Sequence, residues 1–294
     1  MRPSEEGLLL LCCKLGQPVR PLSPSEYKQL EAYVRAMNLT RSKDDFQEVT
    51  PKYLASLGYS EEMSQRIHSL LDRPEALNSY LAAQPDISII TRISDRFPHR
   101  LRRLGSDCPP ALFCKGDTAL LDSRCISLVG SRMLFPRGSA FARRIGTMAA
   151  NEGFTLVSGG ASGADSAAQE ACLAAGGDVI CFVPDRLESY SSRPHVLYCC
   201  AEGYDLPFSN TRALRRNFFI HAMGEKTFVA QCPRTAGGTW QGSRENLKHG
   251  WSELYVLNDG SEGADALARL GASFVEDDLP PLADLLSYQL SIFD

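Results

Sequence analysis

The chain has 294 residues, 44% of them hydrophobic, which is enough for one large or two modest domains with a real core. Its net charge of −4 excludes the global basic field of many nucleic-acid binders, so any anion site must be local. The ten cysteines lack zinc-ligand spacing, and several sit in apolar runs (Cys125, Cys172, Cys181), so they read as buried reduced thiols and no metal is expected.

Residues 4–85 read as helical. Leu8 to Cys13 is apolar but too short to span a bilayer, and no basic segment precedes it; a cytoplasmic protein with no membrane partner is expected. Ser23-Pro24-Ser25-Glu26 combines a capping box with proline at the first helical position, and Tyr27, Leu30, Val34 and Met37 follow as an apolar stripe. Thr50-Pro51 starts a helix that ends near Gly58. Ser60 and Glu61 open the next, with Met63, Ile67, Leu70 and Leu71 inward. These stripes read as the core of a small all-helical N-terminal domain, 1–85.

From Asp86 the texture changes, and a second domain, 86–294, is expected. Ile87 to Thr91 reads as a strand, Phe97-Pro98 breaks the chain, Arg100 to Leu104 forms a short basic helix, and Ala111 to Gly116 is a second strand. Arg100, Arg102 and Arg103 are either an anion patch or, more commonly for such a run, a solvated helix face. Cys125 to Val129 is a buried strand that ends at Gly130-Ser131-Arg132. A helix follows, with Phe141, Ile145, Met148 and Ala149 on one face, and Gly153 stops it. The next strand, Phe154 to Ser158, opens into Gly159-Gly160-Ala161-Ser162-Gly163-Ala164-Asp165, after which small residues mark another helix.

Further on, Asp178 to Val183 is a strand stopped by Pro184, residues 185–196 are polar loop, and Val196 to Cys200 is a candidate strand. Asn210 to Met223 is a helix with Leu214, Phe218 and Ala222 on one side and Arg212, Arg215 and Arg216 on another. Lys226 to Ala230 runs into Thr235-Ala236-Gly237-Gly238-Thr239, a second glycine turn that opens a helix through Leu247. Leu254 to Leu257 is the next strand, Ala264 to Leu270 a short helix, and Leu282 to Leu290 a last one. Alternation of strand and helix implies an α/β fold with an open, mostly parallel, doubly wound sheet.

A glycine turn at a strand's end has two readings of about equal weight. Its free N–H groups and the following helix suit a phosphate, or the glycines only make a tight turn. The spacing is not G-x-G-x-x-G, which argues against a nicotinamide, and no cofactor is expected. Both turns should converge at the carboxyl edge of the sheet. The candidate site is then Ser131, Arg132, Ser158, Gly159, Gly160, Ala161, Ser162, Gly163, Asp165, Arg215, Arg216, Asn217, Gly237, Gly238 and Thr239. Donors dominate it, which favours phosphate and leaves few groups for nucleophilic or base catalysis.

Val129-Gly130-Ser131-Arg132, then Val157 to Asp165, then Arg216-Asn217 resemble, in order and spacing, the signatures of the DprA/Smf family over residues 87–275. Phe97-Pro98, Pro109 to Phe113, Glu202 and Leu270-Gly271-Ala272 are similar to its flanking pattern. The resemblance implies an extended Rossmann-like fold, binding of single-stranded DNA, a homodimer, and transfer of the DNA to a RecA-type recombinase during transformation. It also implies that Arg132 holds backbone phosphate, that the Ser158 to Gly163 turn lines the same pocket, and that Arg216 and Asn217 sit beside it. The chain departs from the pattern at Gln169, Phe218 and Gln231, at Gly237 to Trp240, and in a shortened stretch from Pro184 to Tyr198.

Three readings follow. The first is a non-enzymatic single-stranded DNA-binding module, with Phe218, Phe219 or Trp240 as stacking candidates, although Phe218 on the Leu214 face suits core packing better. The second is a nucleotide sensor or nucleotide-hydrolysing enzyme of the wider superfamily, in which Asp165 acts on a ribose hydroxyl. Hydrolysis is weakened because Gly242 stands three residues past Thr239 and the first acid is Glu245. The third is a vestigial pocket, with the helical N-terminus docking a partner protein.

Overall fold

The computed structural model describes residues 1–38 and 49–285. Five helices come first: α1 (Pro3–Cys12), α2 (Pro24–Asn38), α3 (Pro51–Ser56), α4 (Glu61–Leu71) and α5 (Pro74–Ala83). Proline opens α1, α2, α3 and α5, where its missing N–H forfeits no helical bond. The capping box at α2 forms as expected: Ser23 Oγ accepts from Glu26 N–H at 3.3 Å, and Glu26 accepts from Ser23 N–H at 2.7 Å. Thr50 and Ser60 cap α3 and α4 by accepting from Tyr53 and Met63 N–H, each at 3.2 Å. Leu8, Leu11, Leu30, Leu54, Ile67 and Leu70 form this segment's own apolar cluster. Val34 and Met37 of the predicted stripe lie outside the described side chains.

The rest of the chain alternates: β1 (Ile87–Thr91), α6 (His99–Arg102), β2 (Ala111–Lys115), β3 (Cys125–Val129), α7 (Pro136–Asn151), β4 (Thr155–Gly159), α8 (Ala164–Ala174), β5 (Val179–Phe182), β6 (Val196–Ala201), α9 (Asn210–Met223), β7 (Lys226–Val229), α10 (Gly237–His249), β8 (Glu253–Leu257), α11 (Glu262–Arg269) and β9 (Ser273–Val275). The nine strands form one sheet in the order β1-β2-β6-β5-β4-β3-β7-β8-β9. From β6 to β9 every pairing is parallel, while β2 joins β6, and β1 joins β2, antiparallel. β3, β4 and β5 are buried along their whole length, because helices cover both faces and no residue can point to water. Phe141, Ile145, Ala149 and Ala168 of α7 and α8 fill one face, and Phe219, Ile220, Met223 and Leu267 of α9 and α11 fill the other.

The helical segment also reaches the sheet. Leu9, Leu10, Leu77 and Tyr80 pack into the cluster on the α7 side. Tyr80 stacks on Tyr204 with centroids 4.2 Å apart, donates to Asp205 Oδ1 at 2.6 Å and accepts Tyr204 N–H at 3.0 Å. All ten cysteines are free and nine are buried; Cys114 and Cys199 face each other across β2 and β6 with sulfurs 3.6 Å apart.

The basic run after Pro98 is a partly solvated face, with Arg102 and Arg103 exposed, whose guanidinium groups are nonetheless engaged. Arg100 donates to Gly224 O at 3.0 Å, Arg102 to Ser94 O at 2.8 Å and Arg103 to Trp251 O at 2.8 Å, so all three satisfy backbone carbonyls. The short strand β9 was not predicted. Of the predicted last helix, Leu282–Asp284 is a single 3-10 turn, and 286–290 lie outside the described residues.

The order places β3 between β4, which follows it directly, and β7, which the chain reaches only after turning back. The carboxyl ends of β3, β4 and β7 therefore flank a switch point of the winding, where ligands of open α/β sheets collect.

Candidate anion-binding cleft

Three loops meet at this switch point, and backbone contacts knit them together. After β3, Ser131 N–H donates to Gln231 O at 3.0 Å and Met133 N–H to Ser131 Oγ at 3.1 Å. Gln231, after β7, then clasps the same loop with both ends of its amide. Its Oε1 accepts Phe135 N–H at 2.8 Å and its Nε2 donates to Met133 O at 3.1 Å. The loop after β4 joins through Gly163, whose φ of +87° only glycine adopts readily. A Cβ there would lie 2.5 Å from the carbonyl oxygens of Ser131 and Arg132, so the close approach also demands glycine. Ala164 N–H donates to Ser131 O at 3.1 Å, and Thr239 Oγ1, in the first turn of α10, donates to Gly130 O at 2.9 Å.

Behind the loops lies a charged pair. Arg216 of α9 and Asp165 of α8 are 7% and 6% exposed and are joined Nη1 to Oδ2 at 3.4 Å. Ala161 N–H adds a second donor to the same oxygen at 3.3 Å. Burial pushes the Asp165 carboxyl up from its ordinary value against the pull of Arg216 and the Ala161 amide. The guanidinium lies directly over Gly159, where any Cβ would collide with it. Gln169 Nε2 donates to Gly159 O at 2.6 Å and fixes that turn from below.

The result is a cleft of about 590 Å³. Ser131, Arg132, Ala161, Asp165, Arg216, Asn217, Gly237, Gly238 and Thr239 line it. Gly160 and Ser162 line an adjoining compartment of about 220 Å³, which shares Arg132, Ala161 and Arg216 with the cleft. Gly159 is buried beneath Arg216, and Gly163 backs the first loop. Ser158 is fully buried and donates to Leu128 O at 3.0 Å, so it is a strut of the sheet rather than part of the lining. Arg215 turns the other way and pairs with Glu202. Among the described residues, Arg132 is exposed and makes no ion pair, whereas Arg216 is buried and meets Asp165 through Nη1 alone, its Nε having no hydrogen-bond partner.

The structure adds residues that sequence reasoning missed: Phe208, Asn210, Arg234 and Gln241 also line the cleft. Arg234 is exposed, has no ion-pair partner among the described residues, and sits three positions before Gly237; that placement was the available signal. The stacking candidates fall elsewhere. Phe219 is 4% exposed, with its ring 5.9 Å from Phe182; Phe218 packs on Trp251 at 5.3 Å; and Trp240 leans on the core. The aromatic that does open onto the cleft is Phe208, 52% exposed.

Comparison with known proteins places the chain. The family model for DNA recombination-mediator protein A matches residues 88–279. The chain belongs to that family. It is 28% identical over 210 residues to protein Smf of Escherichia coli K12, a match covering 66% of this chain and 55% of Smf, so it spans about half of that relative. Its fold is similar to that of DNA processing protein A from Streptococcus pneumoniae, with a TM-score of 0.61 and 19% identity over 86% of this chain and 95% of the other. DNA processing protein A from Helicobacter pylori, a structure that addresses a single-stranded DNA binding mode, matches with a TM-score of 0.54 and 25% identity over 64% of this chain and 90% of that one.

Against this DprA/Smf background, two departures acquire a structural role. Gln169 and Gln231 each donate to a backbone carbonyl of the cleft's turns. Phe218 packs its ring against Trp251. Among the described residues no helix is long and apolar enough to cross a membrane, and no cluster of His, Cys, Asp or Glu is arranged to hold a metal ion.

Proposed function

We propose that the cleft binds single-stranded DNA through its phosphate backbone and that the protein acts in DNA processing for recombination, in the cytoplasm. One observation carries the reading. Arg132 and Arg234 stand exposed and free of ion pairs among the described residues on two loops of the cleft, while the acid within it, Asp165, is already paired with Arg216. Exposed guanidinium groups in one cleft suit backbone phosphates, and Phe208 in the same lining offers a face to a base. Membership of the family supports the same assignment, as does the Helicobacter pylori relative's single-stranded DNA mode. Ten free thiols suit a reducing compartment.

Binding rather than catalysis is favoured because Asp165 is buried and held by two donors, and Glu245 pairs with Arg244, Lys248 and His249 instead of facing the cleft. Transfer to a RecA-type recombinase and homodimerisation are proposals that rest on the family alone. Light scattering and a filament-assembly assay on the same oligonucleotide test them.

The decisive measurement is a titration of short oligothymidylate against duplex DNA at two salt concentrations. Single-strand affinity is expected to fall steeply with salt. Arg132→Ala and Arg234→Ala should each weaken binding to every sequence alike and flatten the logarithmic salt slope by about 0.7. Absent or salt-insensitive binding would overturn the proposal.

A further inference from the structure

The smaller compartment differs chemically from the main cleft. It opens at the carboxyl ends of β4 and β5, on the far side of Arg132 and Phe208. Its lining includes one acid not neutralised by an arginine, Asp185. Asp185 Oδ1 accepts the Tyr190 hydroxyl at 2.8 Å, and among the described residues no hydrogen bond or ion pair reaches Oδ2. A carboxylate in this position repels phosphate. It accepts hydrogen bonds from neutral N–H groups.

The walls suit a flat aromatic guest. Phe208 presents an exposed ring to it, and Tyr190, also in the lining, is fixed by Asp185 and by its ring contact with Tyr198 at 5.1 Å. Arg132 stands at the junction of the two spaces, so a phosphate held there delivers its own nucleotide's base to Asp185.

We infer that this compartment takes a guanine of the bound strand, with Asp185 accepting its N1–H and N2 amino hydrogens. The inference rests on the single-stranded DNA reading above. Guanine is the base whose Watson–Crick edge offers two adjacent donors, matching the two oxygens of a carboxylate; thymine offers one, and adenine and cytosine offer one amino group. Oδ1 keeps a lone pair beyond the Tyr190 bond, so both oxygens can accept.

The test compares the full-length protein's affinity for a short oligothymidylate carrying one central guanine, hypoxanthine or adenine, and for the unsubstituted oligomer, at one salt concentration. A single guanine avoids quadruplex formation, and hypoxanthine removes only the N2 amino group. The guanine oligomer is expected to bind about tenfold tighter than the hypoxanthine one. In Asp185→Asn that ratio should fall to about twofold or less, because the amide turns one acceptor into a donor. Equal affinities for all four oligomers in the wild-type protein would overturn the inference and leave the DNA reading intact. A guanine preference that survives Asp185→Asn would remove it from this compartment. Failure to bind any of the oligomers would overturn both.

Discussion

Gln231 holds the Arg132 loop by two bonds of opposite polarity, and that polarity makes it testable. In Gln231→Glu the carboxylate still accepts Phe135 N–H but faces the Met133 carbonyl with a lone pair, at a site 3% exposed. The expected cost is about 1–3 kcal/mol of stability, together with faster amide exchange at 133–135, read by denaturation and hydrogen-exchange mass spectrometry. An unchanged exchange rate would mean that the loop is held by something else. The glutamine was legible as a departure from the family pattern. Its partners were not, because Met133 and Phe135 lie almost a hundred positions earlier. Arg215 and Arg216 teach a related lesson. Neighbours on a helix diverge by about 100°, so both cannot face one cleft, and composition alone does not say which is turned inward. Burial decides it: Arg216 lies over the glycine turn, and Arg215 meets Glu202.

Between elements, α7 approaches α8 closely at Gly146, where an added Cβ would run into the Ala168 carbonyl oxygen. Because the obstacle is backbone, Gly146→Ala should destabilise the protein by about 1–3 kcal/mol despite alanine's better helix propensity, measured as a lowered denaturation midpoint. The joint between the leading helices and the sheet is apolar with one polar clasp. Tyr80→Phe keeps the ring stack on Tyr204 but strands the Tyr204 amide and the Asp205 carboxylate, with an expected loss of about 1–3 kcal/mol. An unaltered midpoint would show that water replaces the hydroxyl. The strands from β3 to β8 were legible because both-face burial writes them as apolar runs bounded by glycine, proline or charge. α1 was legible only as part of a broad helical span, since four consecutive leucines show no stripe. They are buried all round, between the helical cluster and the sheet cluster. β9 is a three-residue edge with Phe274 44% exposed, and no period can be read from so short a piece.

For the molecule as a whole, one source of pH-dependent stability is His221. It is fully buried in α9, neither ring nitrogen has a partner among the described residues, and desolvation lowers its pKa from 6.5 to about 3. The folded state therefore holds the ring neutral while the unfolded chain protonates it below 6.5. Its contribution is complete above that pH and is lost progressively as pH falls toward 3, at about 1.4 kcal/mol per pH unit. Urea midpoints at descending pH should show this slope in the wild-type chain and a shallower one in His221→Gln; parallel curves would rule His221 out as the source.

The enclosed thiols give the fold a set of internal clocks. They are spread over β2, β3, α8, β5 and β6, with others at the end of α1 and past β7, and an alkylating reagent meets each of them only when that part of the chain parts from its neighbours. Mass-resolved labelling over time would date the opening of β2, β3, β5 and β6 separately, without introducing a foreign probe. It would also reveal whether a bound oligonucleotide slows the whole sheet or only the strands whose loops hold it.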